Sequence, residues 1–322
     1  MTRRSSSIYK AGRSLSRCLY LRRKWYRFVL PIAAIGLLIS LCTPVGYGAE
    51  HAVAGHPSAS LRFTPEPEGR RQILVENGDD TVQWRLRAPE RVFCDEGVLV
   101  GHDTWRVVHT PVSTPVSWSN PSDGSWRFER KNRDDTKNGI VKHSIDYQFQ
   151  IDPKPYGALL TLSVKNTGDE ALHNIVGHIC LGALSAPFRD PSFQRSYVRV
   201  DGEFLNLQKT DRGSDPIRAR YRVRGFPTIK IFDSPDNRFW GGPSSEQIDN
   251  GLILTLTESK QRGVALWFDP ANEVFQNSDE NNMCIHSDPF FGDLEPGSSK
   301  QVQGKLILFT GSLAEFETTF LD

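Results

Sequence analysis

The chain has 322 residues, of which 39 are Lys or Arg and 38 are Asp or Glu, giving a formal net charge of +1. Residues 1–54 hold 9 basic residues and 1 acidic residue, so the rest holds 30 and 37 and is near −7. This acidic balance argues against a nucleic-acid partner, whose phosphates favour a basic face. No linker or composition shift divides residues 60–322, which predicts one domain large enough to bury its own core.

The first 54 residues predict a signal peptide. A basic segment without acids precedes an apolar run at residues 28–41, which is shorter than the roughly 20 residues that a membrane-spanning helix needs. Small residues after the run offer a cleavage site near Ala49 or Ala54. We therefore expect an exported monomer, periplasmic or extracellular, that contacts a membrane only if this segment is retained as an anchor.

Period-2 alternation dominates the chain beyond residue 60. Ile145, Tyr147, Phe149 and Ile151 alternate with polar neighbours, as expected for strands that cover a core on one side. Similar alternation recurs at residues 82–86, 160–164, 252–256, 264–268 and 306–308, with turn-forming clusters of Asn, Asp, Gly and Pro between strands. Only residues 312–320 suggest a helix. The pattern predicts an all-β fold, a large two-sheet antiparallel β-sandwich spanning residues 60–322.

Two mirrored tripeptides concentrate the reactive side chains: His178-Ile179-Cys180 and Cys284-Ile285-His286. In a strand, residues two apart point to the same face, so each tripeptide presents an imidazole and a thiol together. If the two strands are neighbours, two histidines and two cysteines converge. The tripeptides therefore predict a functional site, without specifying its reaction.

Two stretches around these tripeptides resemble the aldose 1-epimerase (galactose mutarotase-like) superfamily. The first is the segment LSVKNTGDEAL at residues 162–172 followed by Gly177-His178, and the second covers residues 283–289 and the Leu-Glu-Pro-Gly turn at 294–297. The resemblance implies a β-supersandwich with a carbohydrate-binding cleft, and His178 as the catalytic acid. Where the family has a catalytic glutamate, this chain has His286.

Three functional classes follow from these residues. An aldose epimerase-like isomerase would need a proton donor and a proton acceptor, for which His178, His286 and the nearby Asp288 are candidates. A non-catalytic sugar-binding or cell-surface protein could use the same scaffold. A metal-binding protein could use His178, Cys180, Cys284 and His286 as a Cys2His2 set.

The cysteines allow several states. Cys18 and Cys42 would leave with the signal peptide, and the simplest arrangement in an oxidising compartment joins Cys180 to Cys284 and leaves Cys94 free. Alternatively, the cysteines pack as small buried hydrophobic residues. The sequence has no phosphate-binding or dinucleotide-binding motif, so no cofactor is expected.

Two features outside the tripeptides could contact a sugar. Trp240, next to Gly241-Gly242, could stack on a sugar ring, although a tryptophan that covers the core is the more usual case. Arg222 belongs to a period-2 series of arginines at residues 218–224 that could meet an acidic sugar or form a solvated strand face.

Overall fold

The computed structural model describes residues 61–66, 70–77, 82–101, 116–131, 144–213, 215–229 and 242–321. All of these residues belong to one compact unit, Ala52–Asp322. The segment predicted to be a signal peptide lies outside the described residues. Within the described ranges, no helix is both long enough and apolar enough to cross a membrane.

The described residues form two β-sheets. Sheet A contains β1 (Leu61–Pro65), β2 (Gln72–Asn77), β3 (Gln83–Cys94), β4 (Gly97–Val100), β8 (Leu172–Ala183), β11 (Arg218–Val223), β12 (Gln247–Ile248), β15 (Ala271–Asn277) and β16 (Cys284–Leu294). Sheet B contains β5 (Trp126–Lys131), β6 (Ile145–Lys154), β7 (Gly157–Asn166), β9 (Ser196–Val200), β10 (Glu203–Asn206), β13 (Gly251–Leu256), β14 (Arg262–Asp269) and β17 (Ser299–Thr310). The helices within the described ranges are two short 3₁₀ segments, Ala186–Phe188 and Leu207–Lys209, and α1 (Leu313–Phe320).

The strand order is β1-β2-β3-β8-β16-β15-β11-β12 in sheet A, with β4 paired to β3, and β10-β9-β13-β14-β17-β7-β6-β5 in sheet B. Neighbouring strands run antiparallel throughout this order, except for the short parallel pair of β11 and β12. The structure confirms the predicted all-β, two-sheet antiparallel sandwich. It also places β8 and β16 side by side in the middle of sheet A.

The main core is shared by the two sheets. Six of its members belong to the alternating runs predicted from the sequence: Leu86 from sheet A, and Phe149, Leu162, Leu266, Phe268 and Leu306 from sheet B. Ile179, Leu181 and Ile285 of sheet A join them in the core. Burying apolar surface of this kind is the dominant favourable contribution to folding. The two tripeptides are therefore anchored through their central isoleucines.

A second, smaller apolar cluster connects α1 to sheet B. Phe316 of α1 packs against Phe309 at a ring-centroid distance of 4.6 Å, and Leu252 belongs to the same cluster. The helix begins with a capping box, in which the Ser312 side chain accepts from the Glu315 amide and the Glu315 carboxylate accepts from the Ser312 amide. This helix is the one that residues 312–320 predicted.

Candidate functional site

The structure brings the two tripeptides together at the centre of sheet A. β8 and β16 are antiparallel neighbours, and their register sets His286 opposite Cys180 and Cys284 opposite Gly182. Because alternate residues of a strand share a face, His178 lies on the same side as these residues. The convergence expected from the sequence is present in the described residues.

The site lies on the face of sheet A that points away from the core. Ile179 and Ile285 belong to the inter-sheet core, and adjacent residues of a strand point to opposite faces. His178 and His286 are nevertheless only 5% and 2% exposed. The cluster is a buried polar site, not the open floor of a cleft that the family resemblance implied.

His178 is fixed by Asp288. Its Nδ1 lies 2.9 Å from both carboxylate oxygens of Asp288, and the Asp288 side chain is also buried. The carboxylate therefore orients the ring of His178, the residue for which the sequence offered Asp288 as a possible partner in proton transfer. The nitrogen that points away from Asp288, Nε2, is the one suited to proton transfer.

The residue before His178 lets β8 pack closely at this point. A side chain on Gly177 would place its Cβ 2.8 Å from Leu162 Cδ2 and 3.2 Å from Pro289 Cγ. Such contacts are shorter than ordinary van der Waals distances, so a larger residue would require the Leu162 and Pro289 side chains, or β8 itself, to shift. Close packing at Gly177 thus fixes the position of the His178 backbone relative to the core.

The two imidazole rings are stacked. The centroids of His178 and His286 are 4.1 Å apart and their planes are inclined by 26°. Phe275 meets His286 edge to face at 5.0 Å, and Phe93 meets His178 in the same way at 6.3 Å. The aromatic surroundings restrain both rings and limit the water around them.

The stacked rings prefer opposite protonation states. Burial alone lowers the pKa of His178, but the Asp288 carboxylate outweighs burial and raises that pKa above its ordinary value. Burial and the charge of His178 hold the pKa of His286 well below its ordinary value. Burial also raises the pKa of the Asp288 carboxyl, against the effect of His178. His178 is therefore the ring that holds a proton more readily, whereas His286 is neutral at neutral pH.

The predicted disulfide between Cys180 and Cys284 is absent. Each of the three described cysteines, Cys94 included, is a buried free thiol. The register explains the difference, because Cys284 faces Gly182 while Cys180 faces His286, which makes the two cysteines diagonal neighbours. Diagonal pairs in antiparallel sheets have Cα atoms about 7–8 Å apart, beyond the usual separation in a disulfide.

Each thiol of the site has its own polar partner. Nη1 of Arg87 donates to Sγ of Cys180 at 3.2 Å. Sγ of Cys284 lies 3.0 Å from Nε2 of His286. Burial raises the pKa of the Cys180 thiol well above its ordinary value, so this thiol is protonated at neutral pH. The two cysteines therefore take part in a polar network and do not merely fill space.

Glu90 is a site residue that the sequence analysis missed. Its carboxylate belongs to a group with ring nitrogens of His178 and His286 in which all ligand atoms lie within 4.8 Å of one another, and the residue is 7% exposed. A register irregularity between Arg87 and Arg91, where β3 pairs with β8, re-aims the strand at this point. Pro89, which follows the alternation at residues 82–86, was the available signal, because proline inside a sheet marks bulges and edges.

The predicted metal-binding quartet does not form a single set. Cys180, Cys284 and His286 form one group of close ligand atoms, and Glu90, His178 and His286 form another. His178 is therefore separated from the thiols, and its Nδ1 is engaged by a carboxylate. Only His286 belongs to both groups.

The two peripheral predictions have different outcomes. Trp240 lies outside the described residues. Arg222 is on β11, and its Nε lies 3.9 Å from the Glu273 carboxylate, which also accepts two hydrogen bonds from Arg220 at 2.7 and 2.8 Å. Glu273 is opposite Asp288 in the register of β15 and β16. Arg220 of the arginine series is thus ion-paired with Glu273, which neighbours Asp288 at the edge of the histidine cluster.

No family model matches the chain, and neither does any curated protein. Solved structures do match. A galactose mutarotase related enzyme from Lactobacillus acidophilus is 12% identical, with a TM-score of 0.46 over 79% of this chain and 98% of that chain. A galactose mutarotase-like protein from Clostridium acetobutylicum is 9% identical, with a TM-score of 0.45 over 79% of this chain and 99% of that chain, and one from Lactobacillus casei is 10% identical, with a TM-score of 0.43 over 77% and 99% of the two chains. The chain is thus distantly similar to galactose mutarotase-like proteins, the group that the sequence resembles. A likeness this distant assigns no activity.

Proposed function

We propose that this protein is an exported, carbohydrate-binding enzyme of the aldose epimerase type, with its proton transfers at His178, His286 and Glu90. The observation that carries the proposal is a pair of imidazole rings stacked 4.1 Å apart: Asp288 holds His178 and raises its pKa, whereas the pKa of His286 lies well below its ordinary value. General acid–base catalysis requires a donor and an acceptor of protons close together, and this cluster can supply both. The sequence resemblance at residues 162–178 and 283–297 supports a sugar as the substrate.

The exchange of sugar anomers needs two simultaneous proton transfers. One group removes the proton of the anomeric hydroxyl while another protonates the ring oxygen, the bond between that oxygen and the anomeric carbon breaks, and a carbonyl forms. In its charged form His178 can donate through Nε2, and the acceptor is either neutral His286 or the Glu90 carboxylate. When the ring closes on the other face of the carbonyl, both protons return. The protons are conserved over the full cycle, so no other reactant is needed.

The proposal is tested by measuring anomeric exchange with NMR on a panel of free aldoses. We expect the wild-type protein to accelerate exchange for at least one sugar, and Asp288→Asn and His178→Gln to lose roughly 10²- to 10⁴-fold of the rate, the usual contribution of a general acid or base. His173→Gln is the matched control. Its imidazole is exposed and paired with Glu96 at 2.6 Å, so this variant should exchange sugars like the wild type.

The same measurements separate the alternatives. Sugar binding without acceleration for any aldose would replace the enzyme with a non-catalytic carbohydrate-binding protein. Elemental analysis of protein purified without an affinity tag tests the metal-binding alternative, which requires a stoichiometric ion that is lost in Cys284→Ser or His286→Gln. A thermal unfolding curve for each variant establishes that lost exchange is not lost folding.

Export is supported by the basic and apolar segments of residues 1–54. Mass spectrometry of the protein recovered from an extracytoplasmic fraction should show a chain that begins near residue 50 or 55. Recovery of the uncut chain with membranes would instead indicate a retained anchor, and recovery in the cytoplasm would contradict export.

A further inference from the structure

Cys284 contacts the site without a role in the proton transfers proposed above. Its Sγ lies 3.0 Å from His286 Nε2, and the two residues are 3% and 2% exposed. They are two positions apart on β16 and therefore share a face. In so enclosed a position the contact between thiol and ring is a fixed part of the site.

The direction of this hydrogen bond follows from the neighbouring groups. Neutral His286 carries one proton, on either Nδ1 or Nε2, and the bond made by one nitrogen decides the other. A thiol is a weak acceptor, whereas the bare nitrogen of an imidazole is a strong one. The other thiol, Cys180, already accepts from Arg87, which has donors only. Cys284 therefore donates its S–H to Nε2, and the proton of His286 resides on Nδ1.

The remaining nitrogen of His286 is available to a ligand. Nδ1 has no hydrogen-bond partner among the described residues, although it is fully buried. A buried N–H group without a partner is unfavourable and rare in proteins, and a ligand oxygen can complete it. An oxygen of a bound sugar is a suitable acceptor.

We propose that Cys284 is a positioning residue that holds His286 with its proton on Nδ1, so that His286 donates a hydrogen bond to the sugar and Glu90 takes the proton from the anomeric hydroxyl. The sugar part of this statement rests on the proposed function, whereas the tautomer does not. His178 and His286 are then both donors. The Glu90 carboxylate, within 4.8 Å of ring nitrogens of both, is the acceptor of the cluster.

The tautomer is tested by ¹⁵N NMR of the histidine rings at neutral pH. We expect the wild-type protein to show His286 protonated on Nδ1 and bare on Nε2. Cys284→Ala should release the ring to a mixture of tautomers, and Cys284→Ser, which keeps a donor of similar size, should restore the Nδ1 proton. Cys94→Ser is the matched control, because its buried thiol contacts the Gly97 carbonyl at 3.6 Å, and it should leave His286 unchanged.

Exchange kinetics complete the test. Cys284→Ala should slow exchange by roughly 10- to 100-fold, the range for a group that orients a functional histidine, while Cys284→Ser stays close to the wild type. Glu90→Gln should abolish exchange and keep the Nδ1 proton. A wild-type His286 protonated on Nε2, or a Cys284→Ala variant with normal exchange, would overturn the proposal. If the wild type exchanges no sugar but shows the expected tautomer, the proposed function fails and the tautomer assignment stands.

Discussion

The outward faces of the two sheets differ in what they do with polar side chains. In β6 of sheet B, buried apolar residues alternate with partly exposed polar ones such as Asp146, Gln148 and Gln150. In β16 of sheet A, the first six residues are buried, although His286 and Asp288 point away from the core. Sheet B exposes the polar face of β6 to water, whereas sheet A encloses the polar face of β16.

This difference shows which face of the sandwich can hold reactive polar groups in fixed positions. A polar group taken out of water without a partner costs several kcal/mol, so enclosed polar residues must satisfy one another. Sheet A does this through pairs: His178 with Asp288, and Arg220 with Glu273. Charges held in this way have fixed positions, and the pKa values of His178 and Asp288 are both raised from their ordinary values.

The largest effect on stability is expected when a pair on the enclosed face is broken. Glu273→Gln leaves the Arg220 guanidinium buried, at 5% side-chain exposure, without its carboxylate partner. We expect the free energy of unfolding to fall by roughly 3–5 kcal/mol, measured by denaturant titration. The matched change in an exposed pair is Glu317→Gln, whose carboxylate is 36% exposed and lies 3.0 Å from Arg199. It should cost less than about 1 kcal/mol. Equal losses in the two variants would erase the contrast between the faces.

Most of the fold could be predicted because sheet B follows the simplest rule. The alternation at residues 145–151 and 160–164 identified β6 and β7, since one face of each is buried and the other is solvated. The strands at the centre of sheet A have no such contrast, because both of their faces are buried. They were predicted from the two tripeptides, in which a histidine and a cysteine stand two positions apart, as residues on one face of a strand do.

The site was predicted only as far as spacing within a strand allows. His178 and His286 could be paired because residues two apart share a face. The free thiols could not be predicted, because the state of Cys180 and Cys284 depends on a register that no local pattern sets. Glu90 was missed because an irregularity in β3 moves it into the site. Strand register and bulges are set by contacts between distant parts of the chain, so a local sequence pattern does not predict the contacts that depend on them.

A smaller effect is expected on the inward face of sheet A, where one polar side chain connects the sheets. Ser287 Oγ donates to the Gly251 carbonyl at 2.6 Å and accepts from the Phe268 amide at 3.0 Å. Ser287→Ala leaves both backbone groups without that partner, and the free energy of unfolding should fall by roughly 1–3 kcal/mol. Ser163→Ala, which removes an exposed hydroxyl, is the control and should change stability by less than about 0.5 kcal/mol. Indistinguishable variants would show that Ser287 does not link the sheets.

The smallest effect concerns pH and isolates the neutral ring of the enclosed face. The groups that act on the pKa of His286 are His178 on β8 and Glu90, Arg87 and Arg91 on β3, with burial as the largest influence. Because its folded pKa lies well below the ordinary 6.5, the unfolded chain takes up a proton below pH 6.5 that the folded protein refuses. The free energy of unfolding must then decrease as the pH falls below 6.5 toward the folded pKa.

Chemical denaturation at a series of pH values from 4 to 8 would detect this contribution. His286→Gln removes the titrating group, so the variant should lose less stability than the wild type between about pH 6.5 and the folded pKa of His286. His173→Gln should follow the wild-type curve, because the His173 ring is 52% exposed and lies at the surface beside Glu96. A His286→Gln curve parallel to the wild type across this interval would mean that His286 takes up its proton over the same pH range in the folded and the unfolded protein. The contrast in protonation between the two stacked rings would then be wrong.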